Sequence, residues 1–472
     1  MIAGRRPIRQ RLTAPAVRLV ACLLAGALAV GDTPVRAQGR AAGPPILRDA
    51  EIEQLLRDYT QPILRAAGLL KQNISVVIIN DRAFNAFVMD GKRIFVNAGA
   101  LMDSQTPNQI IGVLAHESGH IAGGHLSKMR EEMSNLQTMA VVAMLLGMGA
   151  MAAGAATGAR GAGDVGMAAI TAPQSMMVYS MLSYIRAQEE QADRAGVKFL
   201  TATGQSAKGM YDTFKRMYDQ TVFQSQRIDP YLQSHPMPAE RIAALTEIAK
   251  TNPYWEKQDP PELQLRHDMM RAKMFGFLDQ PDTLYRRYPM SDNSMPARYA
   301  RAIANYRHRD IRSALPQIDA LIQAQPSNPY FQELKGQALL ESGHPAEAIA
   351  PLRFAVAHAP NPTLIQVMLG QALIATNDTK LADEAVNHLR TAIGRDPDIP
   401  DAYAQLAMAY GRKGDYAQAD LASAQAAFSR GDYPTARQLA TRAKGRFAIG
   451  TPGWVKADDI ASYKPPKANR RN

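Results

Sequence analysis

Five residues, His116-Glu117-Ser118-Gly119-His120, restrict this 472-residue chain more than any other stretch. They read H-E-x-x-H. On an α-helix, positions i and i+4 lie on one face, a single turn apart. Two imidazoles at that spacing can hold one zinc ion, and the glutamate between them can act as general base on a water at that ion. The residues upstream specify the helix. Thr106 can serve as N-cap, Pro107 suits the first helical position, and Gln109 completes a capping box. The apolar run Ile110, Ile111, Val113 and Leu114 then predicts that the helix is buried, which suits ligands that must be held rigidly.

A zinc site that works on water needs a third protein ligand and an open position. One route is a histidine six residues after the second, past a turning glycine. Gly123 sits where that glycine would, but position 126 is Leu126, and His125 is one residue short. His125 is therefore expected on the far side of the helix or past its end, in a structural role. The other route is a glutamate from a later helix. Glu189, in Arg186-Ala187-Gln188-Glu189-Glu190-Gln191-Ala192-Asp193-Arg194, is the candidate. Glu189 and Asp193 are i and i+4 and share a face, so Glu189 can ligate while Asp193 accepts the free N–H of a ligand histidine. Alone, such a pair reads as a solvated acidic face; beside H-E-x-x-H it reads as part of a metal site. The histidines from His267 onward carry no ligand spacing.

Further motifs stand in order around these. They are Asn85-Ala86-Phe87, Ile94-Phe95-Val96-Asn97-Ala98-Gly99, the H-E-x-x-H with His125, Glu189 to Arg194, and Ser234-His235-Pro236-Met237-Pro238 with Arg241. The order resembles the HtpX and CAAX-prenyl-protease type of gluzincin metallopeptidase. With an export signal and a helical-repeat tail, it is most similar to the periplasmic beta-barrel assembly-enhancing protease group, over residues 45–445. The resemblance implies an α+β gluzincin metalloprotease domain, mostly helical with a small β-sheet, followed by an all-α tetratricopeptide-repeat solenoid. It implies one Zn2+ per chain on His116, His120 and Glu189, with Glu117 as base. It implies a zinc metalloendopeptidase acting on unfolded or misassembled envelope proteins, with outer-membrane assembly machinery as a partner of the repeats. The chain lacks the paired transmembrane helices of HtpX, which favours the secreted branch.

The N-terminus reads as that export signal, placing the protein in the periplasm. Arg5, Arg6, Arg9, Arg11 and Arg18 form a basic start, and Leu19–Val30 is an apolar run too short to span a membrane comfortably. Val35-Arg36-Ala37 offers cleavage after Ala37; a retained anchor is the alternative. Cys22, the sole cysteine, falls in the discarded segment, so the mature fold must rest on packing and zinc. The first 37 residues also carry six of the basic residues and one acidic one. The remaining net charge of about +6 gives no argument for nucleic acid and leaves peripheral membrane contact open.

Residues 49–70 have helical periodicity and Ile74–Ile79 reads as a strand. Phe84–Val88 and Arg93–Asn97 flank a hairpin turn at Met89–Lys92. Ile94–Asn97 is expected to be the strand that pairs with an extended substrate backbone, or its neighbour; such pairing is blind to side chains. Segment 138–157 is rich in Met, Ala and Gly and carries no charge. It fits a buried helix with a loop, a mobile methionine-rich lid, or a membrane helix. His235, in a proline-bound loop, can donate to the tetrahedral oxyanion, fill the fourth zinc position and hold the enzyme latent, or be structural. Arg241 can stabilise the oxyanion or pair with a carboxylate.

From about residue 295 the chain repeats. Gly336-Gln337-Ala338-Leu339-Leu340 recurs 34 residues on as Gly370-Gln371-Ala372-Leu373-Ile374, and Pro326 and Pro360 keep the same interval. This is the tetratricopeptide period, about four units and an added helix pair near Gly431-Asp432-Tyr433, which stack into a scaffold that binds peptides or proteins. The expected organisation is a signal peptide at 1–37, a metallopeptidase domain at 38–255, a helical linker at 256–294, repeats at 295–445 and a basic disordered tail at 446–472. Two function classes follow. One is an exported zinc endopeptidase whose repeats recruit clients. The other is a chaperone or adaptor for outer-membrane protein assembly with latent proteolysis.

Overall fold

The computed structural model describes residues 45–135, 162–223, 231 and 234–465, with the backbone alone over 162–180 and 221–223. The expected signal peptide and the segment 138–157 lie outside the described residues. Among the described residues no helix is long and apolar enough to cross a membrane.

Strand β1 (Ile46–Leu47) leads into helix α1 (Ala50–Ala66), whose N-cap Asp49 accepts a hydrogen bond from the Ile52 N–H. Ile52, Leu55, Leu56, Tyr59 and Ile63 recur at helical spacing and are buried as one stripe. β2 (Ser75–Ile79), β3 (Ala86–Val88) and β4 (Arg93–Asn97) complete a four-stranded sheet of order β1-β2-β4-β3. β3 and β4 form the expected hairpin, and Asp90 caps its turn by accepting from the Lys92 and Arg93 N–H groups. β4 pairs in parallel with β2 and is buried at four of its five positions, so Ile94–Asn97 is an interior strand and β3, its neighbour, is the free edge.

After α2 (Ala98–Asp103), helix α3 (Pro107–Ala122) runs through the centre of the domain. Its Thr106 cap accepts from the Gln109 N–H, while the Gln109 side chain reaches the Gln105 N–H, one residue outside the expected capping box. Around α3 stand α4 (Ala162–Ala202), α5 (Lys208–Phe223) and α6 (Ala239–Lys250). Of these, α4 and α5 approach α3 to backbone contact. A Cβ on Gly112 would lie 2.6 Å from the Met210 Cα, and one on Gly119 2.8 Å from the Ala192 carbonyl.

The segment expected to be a linker is packed structure. Helix α7 (Pro261–Leu278) and α8 (Pro281–Arg287) place Met270, Met274, Phe275 and Leu284 in the same core as α1 and α3. On α7, His267 is fully buried between the Tyr59 hydroxyl (3.1 Å from Nδ1) and the Ser104 carbonyl (2.8 Å from Nε2). Burial pushes its pKa down to about 4. The unfolded chain takes up this proton near pH 6.5, so folding stability is whole above that value and falls as pH drops toward 4. At pH 5 the loss from this group is about 2 kcal/mol. Thermal melts at pH 7 and pH 5 test this: the difference between them should shrink in His267→Gln, and an equal difference in both proteins would refute it.

The helical pairs Met295–His308 and Ile311–Ala324, Pro329–Glu341 and Pro345–His358, Thr363–Ala375 and Ala382–Arg395, and Pro400–Arg412 and Tyr416–Ser429 follow as four repeats. The equivalent Gly336 and Gly370 let Leu352 and Leu389 of the partner helix close on them; a Cβ would sit 2.4 and 2.6 Å from those side chains. Asn377, at φ 61°, and a short 3-10 turn at Thr379–Leu381 join the two helices of the third repeat. The expected disordered tail is helical for much of its length, a correction. Thr451 caps a helix at Pro452–Ser462, Ala457 is buried against Leu421 and Ala443, and Asp458 pairs with Lys444 at 2.6 Å. Residues 466–472 lie outside the described residues.

The repeats are joined to the first domain through buried charge. Lys273 on α7, 3% exposed, sets Nζ 2.8 Å from Asp49, 3.2 Å from Glu51 and 3.7 Å from Glu333 of the second repeat. Tyr299 of the first repeat donates to Glu51 at 2.9 Å.

Candidate metal centre

Helix α3 presents His116 and His120 one turn apart, and α4 crosses it presenting Glu189 and Asp193 at the same spacing. His235 enters from the segment before α6. The His116 Nε2 is 3.1 Å from the His120 Nε2 and 3.4 Å from the His235 Nδ1. Glu189 lies 3.4 Å from His116, 3.3 Å from His120 and 3.1 Å from the His235 Nδ1. Donors about 2.0–2.1 Å from one tetrahedral ion stand roughly 3.3 Å from each other. The ligand atoms of His116, His120, Glu189 and His235 all lie within 4.8 Å of one another, so this set could hold a metal ion.

The surroundings aim the nitrogens inward. Asp193 Oδ1 is 2.9 Å from the His116 Nδ1, so that nitrogen carries hydrogen and Nε2 offers its lone pair. On the other side, the His120 Nδ1 meets the His125 Nδ1 at 3.0 Å. The converging Nε2 atoms of His116 and His120, 3.1 Å apart beside Glu189, need a hydrogen or a metal cation between their lone pairs. A proton can serve: against the pull of burial, the Asp193 and Glu189 carboxylates lift His116 to about 9, while burial lowers His120 to about 3. A divalent cation would serve all the donors at once. Burial works against the charge on Glu189, but His235, His116 and His120 hold it well below the usual carboxylate range.

Arg241 takes the second of its two expected roles. It is 7% exposed and donates through Nε and Nη2 to the two oxygens of Asp193 at 2.7 and 2.8 Å. Its Nη1 is 2.7 Å from Glu189 and 3.1 Å from the Pro236 carbonyl. Arg241 thus bridges the two carboxylates and the His235 loop. His235 has the Tyr231 ring stacked on it at 4.5 Å and Nε2 directed at Glu117, 3.5 Å away. Glu117 is fully buried, both its oxygens lack a hydrogen-bond partner among the described residues, and burial raises its pKa, with His235 and His116 opposing. A 440 Å3 cleft opens over Glu117, His120, Glu189 and His235, with Phe87 and Val88 of the free edge strand on its wall.

His125 lies past the end of the helix, one of the two placements the sequence offered. α3 ends at Gly123, the chain turns at Gly124 (φ 63°), and the His125 ring folds back under His120. A Cβ on Gly123 would be 2.2 Å from that ring, so the paired glycines are what admit it. Gln188 fixes the loop by donating to the His125 carbonyl at 3.2 Å. The Gly123-Gly124 pair before His125 was the available signal.

Residues 47–249 match the model of Peptidase family M48, and residues 299–364 match a tetratricopeptide repeat. Residues 47–249 are a peptidase family M48 domain. A Vibrio cholerae protein provisionally named beta-barrel assembly-enhancing protease is 24% identical over 293 residues, covering 61% of this chain and 58% of that protein. The match thus spans little more than half of that relative's length. The beta-barrel assembly-enhancing protease of Yersinia pestis is 23% identical over 385 residues, 80% of this chain and 76% of its own. That of Escherichia coli K12 is 24% identical over 356 residues, 73% and 69% respectively. The M48 domain is a metalloprotease domain with a His/Glu cluster suited to a metal, and the repeats that follow it are of a protein-binding kind.

Proposed function

We propose that this protein is an exported, periplasmic zinc endopeptidase. In this reading it hydrolyses misfolded or stalled envelope proteins, and its repeats bind clients or the outer-membrane assembly machinery. One observation carries the reading: four donors converge beside the buried Glu117, and Glu117 lines the same open cleft. His116, His120 and Glu189 would hold one zinc ion. When bound, the metal supplies a more acidic water and a polarised scissile carbonyl. Glu117 accepts the proton of the attacking water and returns it to the departing amine. Asp193 and Arg241 keep His116 and Glu189 in place. The β3 edge offers backbone groups to an extended substrate, which suits varied unfolded clients.

A second reading, a chaperone or adaptor with latent proteolysis, is favoured by the position of His235. Its Nδ1 stands among the donors, where it would fill the position that a reacting carbonyl and water require. The experiment is degradation of an unfolded model protein by the purified protein with zinc, beside His235→Ala. A latch predicts activity raised about tenfold or more in His235→Ala, whereas an oxyanion donor predicts a loss of about a hundredfold. Cleavage by neither protein would reject the endopeptidase.

A further inference from the structure

Several basic residues of the later repeats and the helices after them sit in ion pairs. Lys335 meets Asp319, Arg353 meets Glu384 and Arg442 meets Asp420, at 2.5–2.7 Å. The stretch from α8 into the first repeat has a surplus of basic residues. Residues 281–313 hold seven arginines and three aspartates, a surplus of four in a chain whose total is +11. Three of these arginines, Arg298, Arg301 and Arg309, line a 750 Å3 crevice between α8 and the first helical pair, and no carboxylate lines it.

Arg301 is 6% exposed. It donates to the carbonyls of Tyr288, Pro289 and Asp292, at 3.3, 2.7 and 2.8 Å. Arg298 donates to the Ala320 carbonyl at 3.2 Å. Among the described residues none of the three has an ion-pair partner. Asp292 lies near Arg301, but its carboxylate accepts from the Ser294 N–H and stays outside the crevice. A buried guanidinium held only by carbonyl dipoles keeps its full charge in a poorly solvated place, where an anion is strongly favoured.

We infer that this crevice is a binding site for an acidic peptide segment of a partner protein. The guanidinium fork matches a planar carboxylate with two parallel hydrogen bonds, and several such forks read successive Asp or Glu side chains or a chain terminus. The rim favours a peptide over a free anion. Met290, 73% exposed, and the Tyr285 ring offer apolar contact beside the charges. A concave crevice also suits a flexible chain better than it suits a flat lipid surface. The site is separate from the metal centre and makes no use of it.

The test is fluorescence anisotropy of a labelled hexaglutamate peptide with the full chain at low ionic strength, in a Glu117→Gln background so that the probe stays intact. Each arginine's charge-assisted contact corresponds to about a tenfold change in Kd. Arg309→Glu, on an exposed side chain, should weaken binding about tenfold, and Arg298→Glu/Arg309→Glu about a hundredfold with an unchanged melting temperature. A charge-matched Arg395→Glu/Arg412→Glu protein should bind within about twofold of the parent. Equal weakening in that control would reduce the effect to net charge and overturn the site. No binding of hexaglutamate would overturn it as well. So would displacement of the peptide by sodium phosphate at equal charge concentration, or arginine-dependent binding to phosphatidylglycerol vesicles without peptide binding.

Discussion

Glu117→Gln should reduce hydrolysis of an unfolded protein by about a thousandfold while leaving bound metal unchanged. Glu117 is fully buried, and among the described residues neither carboxylate oxygen has a hydrogen-bond partner. Leaving such a group unpaired is costly unless it has work to do. Glutamine keeps the shape but cannot accept and return a proton. Glu117 is not among the four converging donors, so metal content, measured by elemental analysis, should stay at the parent level. Activity within about tenfold of the parent would refute the general-base role. Loss of metal together with activity would make Glu117 a structural part of the site.

The second large effect is on stability. Lys273→Met should destabilise the protein by about 3–5 kcal/mol and loosen the repeats from the M48 domain. Burial works against the Lys273 ammonium, but Asp49, Glu333 and Glu51 hold its pKa well above the ordinary value. Burial raises Glu51 and pushes Glu333 up to about 8. Methionine fills the same space and leaves three carboxyl groups facing one another without a cation. The measurements are the melting temperature, expected about 5 °C or more lower, and limited proteolysis, expected to separate the repeats earlier. Adding Glu51→Gln to Lys273→Met should recover part of the loss. A melting temperature within about 1 °C of the parent would show that the cluster does not hold the junction.

How far the site could be read in advance differs residue by residue. His116, Glu117 and His120 were legible because one helical turn fixes their relation, and Thr106-Pro107 fixes the helix. Glu189 and Asp193 were legible as a pair for the same reason. Arg241 left two roles open in the sequence; only the crossing of α4 and α6 sets its guanidinium between Asp193 and Glu189. For His125 the sequence left two placements, the far side of the helix or past its end; a left-handed Gly124 decides between them by reversing the chain and returning the ring to His120. The tail was misjudged from its charge. Trp454, Ala457 and Ile460 give one face of a helix that needs the preceding helix to cover it, and that cover is a tertiary fact.

By itself, the sequence determined what local geometry can carry: the H-E-x-x-H face, the acidic i, i+4 pair, the β3–β4 hairpin with its Asp90 cap, and the 34-residue period. Each depends on a spacing within one helix, hairpin or repeat, where backbone geometry ties residue number to position. Tertiary structure decided the rest. It made His235 a fourth donor facing the site, set Lys273 among carboxyls from two units, packed the 261–287 segment into the core, and left three arginines of the first repeat without an ion-pair partner among the described residues. Those relations join residues tens to hundreds of positions apart, and only the packing of whole helices brings such residues within reach of one another.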